Sequence, residues 1–218
     1  MTGLQPFTKA SARMLPVILL ADVSGSMSVD GKIDALNEAV REMIATFANE
    51  TAARASVHVA IISFGGQARL HQPLAAAIDI EWVDMATEGS TPLGAALDLA
   101  TSLIDDKDQL PKNAFRPTVV LVSDGWPNDD WERKLDAFIA GRRTGRTQRL
   151  AMGIGSDADE VMLRRFVADT DTPIFHAEDA TQIASFFRYV SQSVSVRSRS
   201  TDPNALPQIQ DPTAMEEF

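Results

Sequence analysis

PVILLADVSGS, residues 16–26, joins an apolar run to a polar loop that contains an aspartate and two serines. The apolar part, residues 16–21, shows no alternation of polar and apolar side chains, so it predicts a strand that is buried on both faces. TVVLV, residues 118–122, has the same character and leads into Ser123 and Asp124. Strands of this kind are typical of parallel sheets covered by helices. We therefore expect an α/β domain with acidic loops at one edge of its sheet.

The segments around these two runs extend the same pattern. Residues 57–64 and 149–154 predict two more central strands, each followed by a glycine-containing turn. Residues 68–78 follow Gly65 and Gly66 too closely for a crossover connection, which indicates an antiparallel strand at an edge. Apolar residues at steps of three or four predict helices around residues 33–47, 93–104, 131–139, 161–167 and 183–190. The prediction is a doubly wound α/β fold with a mainly parallel six-stranded sheet, one antiparallel edge strand and helices on both faces.

Length and composition limit the number of domains and the kinds of partner. The 218 residues suit one domain, residues 14–195, with a lead-in, residues 1–13, and a Ser-, Pro- and acid-rich tail, residues 196–218, that we expect to be flexible or docked. The net charge of −10 argues against nucleic acid and membrane surfaces as partners. Cysteine is absent, and neither a signal peptide nor a membrane-spanning run is recognisable, so we expect a cytoplasmic protein without disulfides.

Three polar loops are expected at the carboxyl edge of the sheet, where open α/β sheets bind their ligands. They supply five candidate metal ligands: Asp22, Ser24, Ser26, Thr91 and Asp124. Two carboxylates and three hydroxyls form a set of hard oxygen donors, which suits Mg²⁺ or Mn²⁺, fits Ca²⁺ less well and does not suit zinc or copper. Thr91 is also expected to be the N-cap of the next helix, with Pro92 at its first position.

These loops resemble the metal-ion-dependent adhesion site of von Willebrand factor A (VWA) domains. DVSGS, the threonine of GSTPLG, and SDG after a buried strand correspond in order and spacing to the D-x-S-x-S, T and D elements of that site, over about residues 15–194. The resemblance implies a Rossmann-like fold in which Ser24 and Ser26 bind the metal directly and Asp22 acts largely through water. It implies that Thr91 and Asp124 exchange between direct and water-mediated contact. A glutamate or aspartate of a partner protein would take the remaining coordination position.

More narrowly, GSTPLGAAL, SDGWPNDDW and FFRYVSQSVS are similar to the bacterial tellurite-resistance TerY type of VWA protein. This resemblance implies a non-enzymatic interaction module of a stress-response or phage-defence system, with a protein kinase and a PP2C-like phosphatase as partners. SDGWP stands where many relatives have TDG followed by an acidic residue and proline. We therefore expect Trp126 to help select the partner, together with Met27 and Ser90 beside the metal loops.

Other interpretations of the same residues remain open from the sequence. The aspartates and serines could simply cap helices and turns, and any one loop alone would favour that interpretation. A metal-dependent phosphoester hydrolase could use the carboxylates of the metal site, and Asp129 and Asp130 near Asp124 suggest a phosphoryl-transfer cluster. However, the chain has no P-loop, and no lysine lies in the three loops to neutralise a phosphoryl group. Residues 153–158 fit a dinucleotide-binding pattern weakly, and the serines of residues 193–200 leave open a kinase substrate. The three loops together favour metal-dependent binding.

Overall fold

Strands and helices alternate along most of the computed structural model, which describes residues 12–50, 54–167 and 172–205. The strands are β1 Arg13–Asp22, β2 Ala55–Gly65, β3 Gln67–Ala76, β4 Thr118–Ser123, β5 Gln148–Ile154 and β6 Ile174–Ala177. The α-helices are α1 Lys32–Ala48, α2 Leu93–Asp105, α3 Trp131–Ala140, α4 Glu160–Val167 and α5 Ala180–Arg199, and short 3₁₀ helices cover Gly25–Ser28, Ala77–Asp79 and Thr144–Arg146. Among these described helices, none has the length and apolar character needed to cross a membrane.

One sheet contains all six strands, in the order β3-β2-β1-β4-β5-β6. β1, β2, β4, β5 and β6 are parallel, and β3 pairs antiparallel with β2 at one edge. The predicted fold class, including the antiparallel edge strand, is confirmed. The sequence pattern predicted six strands but located only five of them, because β6, with four residues, is too short to show a periodicity.

β1 is almost completely buried because it has a strand on each side and helices on both faces of the sheet. Its side chains alternate between two cores: Leu19 lies in the core with α1 and α5, and Leu20 lies in the core with α2, α3 and α4. Both leucines are fully buried, and each such side chain contributes about 1.5–3 kcal/mol relative to an exposed one. Burial on both faces is the reason that residues 16–21 form an unbroken apolar run.

The chain leaves β1 and β4 in opposite directions. From β1 it passes through α1 to β2 on one side, and from β4 it passes through α3 to β5 on the other side. The two loops therefore separate and open a crevice at the carboxyl edge, which is the position where open α/β sheets bind ligands. Asp22 is the last residue of β1, and Asp124 follows the last residue of β4.

The end of α5 contacts the amino ends of β4 and β5, on the side of the sheet opposite to the crevice. This helix continues past the domain boundary predicted at residue 195. Arg197 is buried there, and its guanidinium donates hydrogen bonds to the carbonyl of Pro203 and to the side chains of Thr118 and Gln148. Burial lowers the pKa of Arg197 to about 10. These bonds attach residues 200–205 to the first residues of β4 and β5. Residues 206–218, the remainder of the predicted tail, and the lead-in up to residue 11 lie outside the described residues.

Candidate metal centre

Asp22 is the most deeply placed of the predicted ligands. Its carboxylate is fully buried and accepts hydrogen bonds from the Ser24 backbone N–H at 2.8 Å and from the Ser123 hydroxyl at 2.6 Å. Burial raises the pKa of Asp22, and the negative charge of Asp124 raises it further, whereas the hydrogen bonds from Ser123 and Ser24 oppose the increase. The site therefore holds a carboxylate whose negative charge is incompletely compensated by the protein, which is the condition that a cation relieves.

Ser24, Ser26 and Asp124 continue the cluster from Asp22 toward the surface. The hydroxyl oxygens of Ser24 and Ser26 are 3.1 Å apart, and the Ser26 hydroxyl donates to Asp124 Oδ1 at 2.7 Å. Asp124 is 1 % exposed, while Ser26 is exposed. Four of the five predicted ligands are thus linked by hydrogen bonds from the interior to the protein surface, Asp22 through the backbone N–H of Ser24.

Thr91 lies in the second loop, which backbone hydrogen bonds attach to both other loops. The Gly25 N–H of the first loop donates to Gly89 O at 2.9 Å, and the Asn128 N–H of the third loop donates to Thr91 O at 3.1 Å. The Thr91 side chain is 7 % exposed. The structure therefore attaches the loop that contains Thr91 to the other two loops, and the role of the Thr91 hydroxyl as a metal ligand stays a prediction.

The predicted capping of α2 by Thr91 is wrong. Helix α2 begins at Leu93 after Pro92, and no side chain of its own N-cap residue accepts a hydrogen bond. Instead, both carboxylate oxygens of Asp129, in the loop after β4, accept from the first-turn amides of Gly94 at 2.9 Å and Ala95 at 3.0 Å. A negative group at this end of a helix is favourable. A side chain 34 to 35 residues further along the chain therefore caps α2, a contact that no local pattern reveals.

Lys32 is a charged group at the site that sequence reasoning missed. It is the first residue of α1, outside the three loops, yet its ammonium lies 2.8 Å from Asp124 Oδ2. The side chain of Lys32 is 20 % exposed and that of Asp124 is fully buried. The only signal in the sequence is that a lysine follows the D-x-S-x-S loop by six residues, at the start of a predicted helix.

The donor set fits a hard divalent cation. Two buried carboxylates and adjacent hydroxyls converge at the crevice, and oxygen donors of this kind suit Mg²⁺ and Mn²⁺. Residues 12–50, 54–167 and 172–205 contain no group of three or more His, Cys, Asp or Glu side chains that could hold a metal. Among the described residues, a site here would therefore depend on hydroxyl ligands in addition to the two carboxylates.

The predicted partner contacts differ in their accessibility. Trp126 is 68 % exposed, and Ser90 is exposed as well. Met27 was predicted to contact the partner, but its side chain is fully buried in the core with α1 and α5, because the 3₁₀ turn after Ser24 directs it inward. Val29, which the sequence did not single out, is 52 % exposed in the segment between this turn and α1.

Comparison with known proteins identifies the family. The profile of the von Willebrand factor type A domain matches residues 17–188, which include all three loops. A search of the curated proteins found no significant match.

Among solved structures, this chain is similar to a von Willebrand factor type A protein from Catenulispora acidiphila, with 22% identity and a TM-score of 0.65, over 86% of this chain and 43% of that one. It is similar to proximal thread matrix protein 1 from the mussel byssus, solved with a zinc-occupied MIDAS motif, with 16% identity and a TM-score of 0.65, over 84% of this chain and 46% of that one. It is also similar to the ArnB paralog VWA2 from Sulfolobus acidocaldarius, with 16% identity and a TM-score of 0.59, over 86% of this chain and 46% of that one. This chain spans less than half the length of each of these proteins.

At such identities the structural likeness shows the fold alone, and the profile match shows the family. The matched residues begin within β1 and end within α5, so they cover most of the sheet and the crevice that the three loops form. The chain therefore belongs to the von Willebrand factor type A domain family.

Proposed function

We propose that this domain binds an acidic side chain of a partner protein through a divalent cation, and that it is not an enzyme. Domains of this family commonly mediate protein interactions through a metal-ion-dependent adhesion site. The observation that carries the proposal is the connected set of buried carboxylates and hydroxyls at the point where the chain leaves β1 and β4 in opposite directions. The proposed ligands are Asp22, Ser24, Ser26, Thr91 and Asp124.

The proposed ligands have different roles in binding the cation. Ser24 and Ser26 present hydroxyl oxygens toward the crevice, and Asp124 stands beside Ser26 with both of its oxygens hydrogen-bonded. Asp22 lies deeper, where its charge acts on the cation from behind the serines. Two carboxylates oppose the charge of the cation, but the ammonium of Lys32 offsets part of their negative charge, and neutral hydroxyls donate less charge than carboxylates. The cation would therefore keep a strong affinity for a third carboxylate supplied by the partner.

The surface around the crevice supports partner selection. Trp126 and Val29 are large apolar side chains that stay exposed on loops adjoining Asp124 and Ser26. Exposed aromatic residues near the centre of an interface are frequent anchors of binding. Ser90 adds a polar group from the second loop. We propose that Trp126, Val29 and Ser90 contact the partner, and Met27 is omitted because it is buried.

The finer assignment concerns the biological system. The proposal of Mg²⁺ as the metal rests on the oxygen donor set, and that of a cytoplasmic location on the absence of cysteine and of a recognisable signal peptide. The tellurite-resistance TerY type, with a kinase and a PP2C-like phosphatase as partners, rests on the sequence motifs GSTPLGAAL, SDGWPNDDW and FFRYVSQSVS. We retain it as a proposal about where this domain works. It is independent of the metal-binding proposal, which rests on the geometry of the crevice.

The geometry also bears on the alternative of a phosphoester hydrolase. Such an enzyme would act at the carboxylates of the metal site, Asp22 and Asp124. Asp129 and Asp130 could extend them into a phosphoryl-transfer cluster. Asp129 instead accepts hydrogen bonds from the first turn of α2, and Asp130 pairs with Arg133 at 2.5 Å. These two carboxylates therefore have structural partners, which favours a binding function.

Calorimetric titration with Mg²⁺ and Mn²⁺ tests the proposal. Wild type is expected to bind the metal, Ser24→Ala to bind it at least about tenfold more weakly because one direct ligand is lost, and Ser102→Ala to bind like wild type. Ser102 is a matched control, since its exposed hydroxyl donates only to Asp98 O within α2. A pull-down from the native host should then capture a partner that EDTA and Ser24→Ala both release. Metal binding that is the same in Ser24→Ala as in wild type would contradict the proposed site.

A further inference from the structure

Lys32 and Ser26 together occupy both oxygens of the Asp124 carboxylate. The Lys32 ammonium is 2.8 Å from Oδ2, and the Ser26 hydroxyl is 2.7 Å from Oδ1. Because the Asp124 side chain is fully buried, this ion pair is shielded from water on the side of the aspartate. Its Coulomb attraction is therefore screened less than that of an ordinary surface pair, in which both partners are solvated.

The backbone on two sides directs Lys32 to this position. Asp30 and Gly31 both have positive φ angles, of 56° and 70°, and this turn starts α1 so that its first residue faces the crevice. From the other side, Gly155 in the loop after β5 lies beside the end of the lysine side chain. A Cβ added at Gly155 would lie 3.5 Å from Lys32 Nζ. Lys32 is thus held between two loops at the carboxyl edge, next to the predicted ligands.

A dication held by the five predicted ligands would attract the carboxylate of Asp124, to which the Lys32 ammonium is already paired. The two positive groups would also repel each other. Direct coordination of the metal by Asp124 requires one of its oxygens, both of which already accept hydrogen bonds. The ammonium must then leave Oδ2 or remain close to a second positive charge. Either outcome lowers the affinity of the site for the metal relative to a site without the lysine.

An alternative position for the ammonium lies in the same crevice. Lys32 and Ser26 line a cavity of about 450 Å³ whose lining also includes four acidic residues, Asp30, Asp157, Glu178 and Asp179, the last of which caps α5. An ammonium that moves away from Asp124 can therefore stay beside acidic groups. The movement would change the charge and shape of this cavity, which adjoins the metal site.

We propose that Lys32 is an internal cation that competes with the metal for Asp124 and so weakens metal binding. Metal binding then moves the ammonium from Asp124 toward the carboxylates of the adjoining cavity. This inference rests on the proposed function, because it presumes that the five ligands hold a divalent cation.

Calorimetric titration of Mg²⁺ into Lys32→Met tests the competition. Methionine preserves the length of the side chain and removes the ammonium, and the affinity for Mg²⁺ is expected to rise about tenfold. Lys134→Met is the matched control, because Lys134 forms a 2.6 Å pair with Asp98 on α2, away from the crevice, and its removal changes the net charge equally. The control is expected to bind Mg²⁺ within about twofold of wild type, since screening weakens the effect of distant charges.

The outcomes separate the two proposals. If wild type binds Mg²⁺ as tightly as Lys32→Met or more tightly, the competition is refuted, and the proposed metal site is unaffected. Absence of Mg²⁺ binding in both proteins overturns the proposed function, and the inference with it. If Lys32→Met does not fold, Lys32→Gln provides the same comparison with a polar side chain. In EDTA, Lys32→Met is expected to unfold at a lower temperature than wild type, and saturating Mg²⁺ should remove that difference.

Discussion

Replacement of Asp22 by asparagine is expected to stabilise the protein in EDTA and to destabilise it, relative to wild type, in Mg²⁺. Asp22 is fully buried, and burial raises its pKa above the ordinary value of 3.8, with a smaller contribution from Asp124. The native state therefore binds a proton at Asp22 more tightly than the unfolded state does. The stability that this group contributes is fully present below pH 3.8 and is lost as the pH rises through the higher native value. At neutral pH the ionised carboxylate thus costs stability.

Asparagine removes this cost and keeps most of the local hydrogen bonding. Its amide oxygen can accept from the Ser24 N–H, and the Ser123 hydroxyl, which now donates to Asp22, can accept from the amide instead. Rearrangement of one hydrogen bond costs up to about 1 kcal/mol, and removal of a buried charge gains about 1–4 kcal/mol. We expect a net increase of about 1 kcal/mol in the free energy of unfolding, or about 2–4 °C in Tm for a domain of this size.

Thermal and urea unfolding between pH 4 and pH 8 measure the effect, first in EDTA and then in Mg²⁺. In EDTA the difference between Asp22→Asn and wild type should grow as the pH rises above 3.8 and then become constant. A metal at a concentration of 100 times its Kd stabilises wild type by about 2.7 kcal/mol, so the order of stability should reverse. Asp108→Asn is the control, because Asp108 is exposed, and its substitution should change stability by less than about 0.5 kcal/mol. A variant that is less stable than wild type in EDTA at pH 7 would refute the reasoning from burial.

Two further predictions concern the packing of the loops and of the C-terminal segment. Gly65→Ala is expected to lower stability by about 1–3 kcal/mol in urea unfolding, because a Cβ there would lie 2.5 Å from Glu88 O and 2.6 Å from Val23 O. Gly25→Ala should change it little, since the same atom would lie 3.6 Å from its nearest neighbour, and equal effects would contradict the steric argument. Arg197→Ala is expected to cost about 3–5 kcal/mol and to expose residues 200–205 to proteolysis, because buried polar partners lose their donor. A loss below 1 kcal/mol would count against that role.

Much of the fold could be predicted because its main elements are long and their burial is uniform. β1 and β4 are covered on both faces, so their apolar runs indicate strands without tertiary information. The helices that face the sheet show the spacing of three and four that packing on one side demands. β6 could not be located, and the end of α5 could not be placed, because four residues carry no periodicity and because Arg197 is a charged residue that only its buried partners make part of the core.

The candidate site, like the fold, could be predicted from the sequence only in part. DVSGS, GSTPLG and SDG could be recognised because each follows a strand or precedes a helix, and the topology brings such loops to one edge. The inward direction of Met27 and the capping of α2 by Asp129 could not be recognised. Both depend on the angle at which a loop leaves the sheet, which is set by backbone hydrogen bonds between loops distant in the chain.

The sequence by itself determined the class of fold, the edge at which the polar loops meet and the chemical type of the site, because these follow from local periodicity and from the residue types of three short loops. Only the tertiary structure decided that Lys32 pairs with Asp124, that Asp129 serves a helix and that Trp126 and Val29 remain exposed. The physical reason is that electrostatic pairing and burial depend on distances between atoms. Residues 92 positions apart in the chain come within 2.8 Å only after the sheet has formed.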